Sequence, residues 1–165
     1  SIVPIAKSIF AGLAWLLVWR VFRSPAVDYR LVILGALLPL IDLFVGHPTP
    51  LHTVSCAVVA LALVMVIARG RRLAQRQWLA VPIGLFAHLL LDTTWADTEL
   101  FWWPMTGASL AALEIPEAGW PLGLDLALEV IGLGVLIGLW VRLGLTEPEH
   151  RERFRHTGHL ARDRA

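Results

Sequence analysis

The chain has 165 residues, of which 57% are hydrophobic and 16% are charged. A soluble domain usually has about 45–50% apolar and about 25% charged residues, and a small domain cannot bury so large an apolar excess. The composition therefore predicts an integral membrane protein and excludes a disordered chain. The single cysteine, Cys56, excludes a disulfide framework and a cysteine-rich metal site.

Five apolar blocks predict an all-α protein with about five transmembrane helices. They cover residues 5–22, 31–45, 51–68, 78–91 and 122–141. The second and fourth blocks are shorter than the roughly 17–25 residues that a span needs. Because the second block contains Pro39, we expect it to be a short span or a re-entrant segment. Residues 1–145 form the predicted transmembrane domain, and residues 146–165 form a polar cytoplasmic tail.

Basic residues predict the orientation of these helices. Arginines lie between the first and second blocks, between the third and fourth, and after the fifth, and Lys7 is the sole exception among the fourteen basic residues. Since lysine and arginine concentrate in cytoplasmic loops, these three regions should lie on the cytoplasmic side. The N-terminus is then outside and the C-terminus inside, in a multi-pass protein of an inner or plasma membrane.

Acidic residues and histidines inside apolar blocks are costly, at roughly 2.5–3.5 kcal/mol each, and they mark functional sites. The predicted topology places six of them in the outer half of the membrane: Asp42, His52, His88, Asp92, Asp125 and Glu129. His47 joins them from a short outer loop. Several predicted helices and a loop thus converge on one predicted polar site.

The spacing of these residues favours a metal site. His88 and Asp92 are four residues apart, so on a helix they share one face. Histidine and carboxylate ligands without a thiolate suit zinc first, with manganese or iron as alternatives. A bound metal would generate a hydroxide that attacks an ester. A hydrogen-bond network without metal, or a proton path, could use the same groups.

Further roles can be assigned around this site. Asp42 is expected to be a ligand or a bridge, and Glu129 or Asp125 a general base or further ligand. Alternatively, Asp125 and Glu129 only stabilise the N-terminus of the fifth predicted helix, where a carboxylate interacts favourably with the helix dipole. Candidate substrate contacts lie near the outer surface: Lys7, Asp97, Trp102 and Trp103.

Residues 30–105 resemble the YdjM-like family of inner-membrane proteins, which are thought to be metal-dependent hydrolases. Residues 35–42 resemble the family's Gly-x-Leu-x-Pro-Asp-x-Asp segment, and His47 and His52 match its two histidines with four residues between them. Residues 87–94, which include His88, Asp92 and Thr94, look like its His-x-x-x-Asp-x-x-Thr helix, and residues 100–104 resemble its aromatic-Pro segment. Three positions depart from the family's pattern: Leu40 replaces an aspartate, Pro48 an arginine, and Leu51 the threonine before the second histidine.

The resemblance implies a bacterial phosphoester hydrolase, distantly similar to zinc-dependent phospholipase C and P1-type nucleases. The ligands that it implies are Asp42, His47, His52, His88 and Asp92. We therefore expect hydrolysis of a phosphoester or ester of a lipid or envelope precursor at the outer membrane face. The expected partners are membrane lipid, a lipid-linked substrate and a protein that contacts the basic tail, with no nucleic acid. The alternative is a non-catalytic pseudo-enzyme whose site binds metal or a lipid headgroup.

Overall fold

The computed structural model describes residues 8–22, 27–91, 94–107, 109–113 and 121–158. Within these ranges the chain is helical and has no strand, which confirms the all-α prediction. The α-helices of the described ranges, in chain order, are α1 (Ser8–Phe22), α2 (Tyr29–Leu37), α3 (Ile41–Val45), α4 (Val54–Ile67), α5 (Arg72–Trp78), α6 (Ala80–Leu91), α7 (Thr98–Phe101), α8 (Leu122–Arg142) and α9 (Pro148–Thr157). Turns of 3-10 helix cover Leu38–Leu40, Pro50–His52, Thr94–Ala96 and Leu110–Ala112.

Each of the five apolar blocks contains a helix, but the expectation of five spanning helices is not met. Helices α1, α4 and α6 have 15, 14 and 12 residues. The longest helix, α8, has 21 residues and includes Asp125 and Glu129. In the described part of the chain, no helix combines the length and the apolar character needed to cross a membrane.

The second apolar block is divided into two short helices. Helix α2 ends at Leu37, a 3-10 turn that contains Pro39 follows, and α3 begins at Ile41. Proline has no N–H group and cannot continue the α-helical hydrogen-bond ladder, so the helix changes type here. Helix α3 ends at Gly46, whose φ of 82° is in the left-handed region that favours glycine.

Small residues bring α1 and α8 into close contact. A Cβ atom added at Gly12 of α1 would lie 2.8 Å from the carbonyl oxygen of Gly132 on α8. The α1 backbone can approach α8 this closely only because Gly12 has no side chain. The core beside this crossing contains the buried side chains of Ala14, Val18 and Leu139.

The segment that was predicted to be a polar tail packs on the bundle as helix α9. Its Phe154 ring is buried and stacks on Trp15 of α1, with the ring centroids 5.6 Å apart and an interplanar angle of 8°. At the end of α9, the carbonyl oxygen of Gly158 accepts a hydrogen bond from the Tyr29 N–H at 3.1 Å. Helix α9 therefore contacts both the middle of α1 and the beginning of α2.

The basic segments of the described chain meet at this same end of the bundle, which we call the arginine end (residues 27–30, residues 69–77, Arg142 and α9). The Arg30 guanidinium donates to the Arg155 carbonyl oxygen. Gln77 of α5 donates a hydrogen bond to Asp28 at 3.4 Å. The Arg142 guanidinium lies 5.3 Å from the ring centroid of Trp19, within cation–π range.

Candidate functional site

The polar site forms beside the crossing of α2 and α6. A Cβ atom added at Gly35 would lie 2.1 Å from the Val81 carbonyl oxygen, and one added at Gly84 would lie 2.1 Å from the Val32 carbonyl oxygen. No side chain fits at either position, so the two backbones touch only because both residues are glycine. His88 follows Gly84 by about one helical turn and is therefore carried against α2.

His88 is fully buried, and its ring bonds to the backbone of α2. Its Nδ1 lies 2.7 Å from the carbonyl oxygen of Ala36. Ala36 is in the last turn of α2, where carbonyl groups lack the regular partners of a continuing helix. Because a carbonyl oxygen can only accept a hydrogen bond, Nδ1 is the donor of this bond.

Asp42 on α3 organises the loop that precedes α4. Its carboxylate is fully buried and accepts hydrogen bonds from the Thr49 N–H at 2.7 Å and from the Thr49 hydroxyl at 2.5 Å. The Nδ1 atom of His52 donates to the same carboxylate at 2.6 Å. Three donors on two oxygens offset the cost of burying the charge, and they fix the orientation of the His52 ring.

The two parts of the site meet at the histidine rings. The ring centroids of His52 and His88 are 5.3 Å apart, with an interplanar angle of 74°, and both side chains are fully buried. In each ring Nδ1 bonds an oxygen, a carboxylate in one case and a backbone carbonyl in the other. Metal-binding histidines in proteins typically have this arrangement, because the second-nitrogen partner fixes the tautomer and aims Nε2. The donor chemistry of the pair therefore suits a divalent cation.

The structure also describes three other titratable residues of the predicted site: His47, Asp97 and Glu129. His47 is exposed, and its Nδ1 lies 3.2 Å from the carbonyl oxygen of Pro48. Asp97 caps α7 by accepting hydrogen bonds from two backbone N–H groups in the first turn of that helix. Glu129 is half-buried on α8. The loop histidine thus faces the surface, and Asp97 has a structural role in the loop.

The two predicted substrate-contacting tryptophans lie near the beginning of α4. Trp102 is exposed and Trp103 is half-buried. The Trp103 carbonyl oxygen accepts a hydrogen bond from the Ser55 hydroxyl at 2.7 Å. Ser55 follows His52 by three residues, so this bond keeps the tryptophan loop close to the segment that contains His52. Lys7 and Asp92 are outside the described residues, as is the side chain of Asp125.

Within the ranges that the structure describes, no group of three or more His, Cys, Asp or Glu side chains is arranged to hold a metal ion. The pair of buried imidazoles supplies at most two nitrogen ligands. Both oxygens of Asp42 are bonded to Thr49 or His52, so this geometry favours an orienting role for Asp42 over direct ligation.

A second buried carboxylate, Asp28, lies at the arginine end. It is 1% exposed, caps α2 by accepting from the Arg30 N–H at 3.0 Å, and bonds the Arg30 guanidinium at 3.1 and 2.9 Å. Burial raises the pKa of Asp28, but the hydrogen bonds and the positive charge of Arg30 lower it more, and the pKa lies below its ordinary value of 3.8. A Cβ atom added at Gly158 would lie 1.8 Å from Asp28 Oδ1, so α9 packs directly on this carboxylate.

Several of these groups have weak signals in the sequence. Asp28 precedes an apolar block, which is a recognisable helix N-cap pattern. Thr49 stands between two prolines, which favours a turn, but nothing in that pattern indicates a bond to Asp42. The Ala36 carbonyl has no side-chain signal at all, because its role depends on where α2 ends and what crosses it.

No protein-family model, curated protein or solved structure matches this chain. Function must therefore be inferred from the chemistry of the residues themselves.

Proposed function

We propose that the protein is a membrane-bound, metal-dependent hydrolase of the YdjM-like kind, which cleaves a phosphoester or ester of a lipid or envelope precursor. One observation carries the proposal. His52 and His88 come from different elements, are fully buried, and lie with their ring centroids 5.3 Å apart, each with Nδ1 held by an oxygen acceptor. This arrangement prepares two imidazole nitrogens to act together.

The proposed roles follow from the hydrogen bonds. His52 and His88 would hold a divalent ion, zinc first and manganese or iron as alternatives, through Nε2. Asp42 keeps the His52 ring in position, and the Ala36 carbonyl does the same for His88. Asp92 is the proposed third ligand. When bound, the ion would polarise the scissile group and activate a water molecule.

Proton transfer in the proposed reaction is assigned to the carboxylates of α8. Glu129, with Asp125 as the alternative, would accept a proton from the attacking water and return it to the leaving group. Substrate would reach the histidines past the loop that holds Trp102 and Trp103. The hydrogen bond from Ser55 to the Trp103 carbonyl keeps that loop beside the site.

The energetics favour a functional role over a purely structural one. A carboxylate and two imidazoles at 0% exposure cost free energy even when they are hydrogen-bonded. Buried polar groups of this kind can often be replaced by apolar side chains of similar volume with no loss of stability. A chain that only had to join α2, α3 and α6 would have no need of them.

The outward side chains support the membrane placement in this proposal. Large apolar residues are exposed along two helices: on α4, Val58, Val59, Leu63, Met65, Val66 and Ile67, and on α8, Leu124, Leu126, Val130, Ile131, Leu133, Ile137 and Val141. Soluble monomers rarely expose apolar patches of more than a few hundred Å². Lipid chains are a solvent in which such faces are stable.

Helices such as α1 are shorter than the hydrocarbon core of a bilayer, so the proposed placement involves a hydrophobic mismatch. At 1.5 Å per residue, the 15 residues of α1 extend over about 22 Å, compared with about 30 Å of hydrocarbon core. Local thinning of the bilayer, and arginine side chains that reach the headgroups from the helix ends, can accommodate this mismatch. We therefore propose a shallow, locally thinned embedding.

A non-catalytic subunit is the second candidate, and one observation favours it. His47, a ligand in the family that the sequence resembles, is exposed and lies against the Pro48 carbonyl. In this case Asp42, His52 and His88 would join α3, α4 and α6 through hydrogen bonds, with or without a metal.

Metal content and hydrolysis by the full chain test the proposal. Purified protein is stripped with a chelator, reloaded with zinc and analysed by mass spectrometry for bound metal. Hydrolysis is then followed with bis(p-nitrophenyl) phosphate and p-nitrophenyl butyrate. We expect about one equivalent of zinc and chelator-sensitive turnover, with both lost in His88→Ala. His156→Ala is the matched control, because that side chain is 76% exposed at the other end of the bundle.

The outcomes separate the two candidates. Zinc binding without hydrolysis of either probe supports the non-catalytic subunit. A wild-type chain that remains free of metal after reloading, or a His88→Ala variant that retains full zinc, refutes the metal site altogether. Metal loss in His156→Ala would show that the change is a general effect of removing an imidazole.

A further inference from the structure

The corner between α4 and α6, residues 66–78, has an unusual charge pattern. It contains four exposed arginines: Arg69, Arg71, Arg72 and Arg76. The sequence has no acidic residue between Asp42 and Asp92. In the described structure the side chains of these four arginines form no ion pair, whereas Arg30 is bonded to Asp28.

Large apolar side chains stand among these arginines and face outward. Leu73 of α5 is 85% exposed, Ile67 is 77% exposed, Val66 is 70% exposed and Trp78 is 52% exposed. Water is a poor solvent for this set, and an anion alone would leave it uncovered. The matching partner must have negative charge and apolar volume side by side.

We infer that this corner docks on the anionic headgroups of the membrane surface, with the arginines on lipid phosphates and Leu73 and Trp78 in the layer beneath them. Tryptophan prefers the boundary between headgroups and acyl chains, and arginines near an anionic leaflet each contribute about 1 kcal/mol. Charge and apolar exposure therefore point to the same partner. The inference rests on the membrane placement in the proposed function, but not on the metal site.

The other basic part of the arginine end has a different character. On α9, Arg151, Arg153 and Arg155 are interspersed with Glu149 and Glu152. The apolar residue of that helix, Phe154, is turned inward onto the bundle. Helix α9 thus exposes no large hydrophobic side chain that could enter a lipid layer, and it provides an internal control for the α5 corner.

Lipid titration of the full chain in neutral detergent tests the inference. Native mass spectrometry counts bound phosphatidylglycerol and bound phosphatidylcholine on the wild-type chain and on two charge-matched variants. One variant is Arg71→Gln/Arg72→Gln/Arg76→Gln, and the other is Arg151→Gln/Arg153→Gln/Arg155→Gln. At about fivefold for each arginine, the first variant should bind phosphatidylglycerol about a hundredfold more weakly. The second should remain within a few-fold of wild type.

Two further arms identify the source of the phosphate and the role of the apolar residues. Glycerol 3-phosphate at the same concentration should not displace phosphatidylglycerol, because it has no acyl chain. Leu73→Gln should weaken the binding of both phosphatidylglycerol and phosphatidylcholine without changing the preference for one over the other. His88→Ala should retain the wild-type preference, since the corner lies at the other end of the bundle.

Three results would overturn the inference. The first is equal binding of the two lipids by the wild-type chain. The second is equal weakening in both triple variants, which would indicate a nonspecific charge effect or an acidic protein as the partner of this surface. The third is displacement by glycerol 3-phosphate. If the wild-type chain does not enter a bilayer, the membrane placement is refuted together with this inference. If the wild-type chain enters a bilayer but binds no zinc, only the proposed hydrolase is refuted.

Discussion

Replacement of Gly158 by alanine tests the contact between α9 and the bundle. Gly158 ends α9 with a φ of 69°, and its N–H donates to the Phe154 carbonyl oxygen at 2.8 Å. A residue with a side chain in this conformation costs about 1 kcal/mol. In addition, the new Cβ atom would lie 1.8 Å from Asp28 Oδ1 and 2.2 Å from its Cγ, so the Asp28 carboxylate must move.

The magnitude follows from what Asp28 loses when it moves. Its hydrogen bond to the Arg30 N–H caps α2, and the loss of such a cap costs about 1 to 2 kcal/mol. The ion pair adds about 0 to 1 kcal/mol, because the Arg30 side chain is 37% exposed and solvent screens the charge. With the backbone cost, we expect Gly158→Ala to reduce the free energy of unfolding by about 2 to 4 kcal/mol.

Gly70→Ala is the matched control. Gly70 has a φ of 82°, and a Cβ atom there would have nothing within 4 Å, so this variant has only the backbone cost of about 1 kcal/mol. Unfolding is measured by denaturant titration in detergent, with far-UV circular dichroism and with tryptophan fluorescence, to which Trp15 beneath Phe154 contributes.

A double variant isolates the clash. In an Asp28→Ala background the carboxylate is absent, so Gly158→Ala should cost only about 1 kcal/mol, and the two changes should be clearly non-additive. Equal losses in Gly158→Ala and Gly70→Ala, or additive losses in the double variant, would show that α9 does not rest on Asp28.

Three further predictions concern the helix crossing, the effect of pH and the site. Gly84→Ala should separate α6 from α2 and abolish zinc binding, while Gly138→Ala, a helical position with open space, should leave zinc content and unfolding nearly unchanged. Because the pKa of Asp28 is lowered in the folded protein, its contribution to stability is complete above about pH 3.8 and is lost as the pH falls further. Wild type and Asp28→Asn should therefore differ in melting temperature at pH 7 and converge toward pH 2. Asp42→Asn should weaken zinc binding by about 10- to 100-fold, as loss of an orienting partner does, and His47→Ala by less than threefold. If the two variants were equally impaired, the loop histidine would be a ligand.

The positions of the helices follow from local sequence. The fifth apolar block, residues 122–141, corresponds closely to α8 (Leu122–Arg142), and the irregularity expected at Pro39 is present as a 3-10 turn. Apolar runs favour helices wherever backbone groups must bond within the segment, and a missing N–H group interrupts the ladder whatever surrounds it. Information of this kind lies within a few residues along the chain.

Some of the apolar blocks are longer than the α-helices that form within them. The third apolar block covers residues 51–68, but its α-helix begins only at Val54, because Pro50 and Thr53 start a 3-10 turn and a new cap. Counting apolar residues overestimates a helix whenever a turn with apolar residues adjoins it. The docking of α9 was also unexpected, since a single phenylalanine among charged residues gives little sign of a buried contact.

The proximity of His52 and His88 was predicted only in part from the sequence. The topology placed both histidines and Asp42 at one level, and the structure brings these three residues together. The exposed position of His47 could not be anticipated, because both loop histidines have the same chemistry and lie five residues apart. Only the bonds from Thr49 and His52 to Asp42 distinguish one ring from the other.

Composition and periodicity thus establish a helical, strongly apolar chain whose basic residues, except Lys7, lie at or beyond the ends of its apolar blocks. These properties depend on residues that are close together in the sequence, so they can be predicted without knowing how the helices pack. The pairing of Asp42 with His52, the contact of His88 with Ala36 and the closure of α9 on Asp28 arise only when the helices pack. They depend on glycines that allow backbones to touch, and a sequence pattern does not indicate which backbone a glycine will meet.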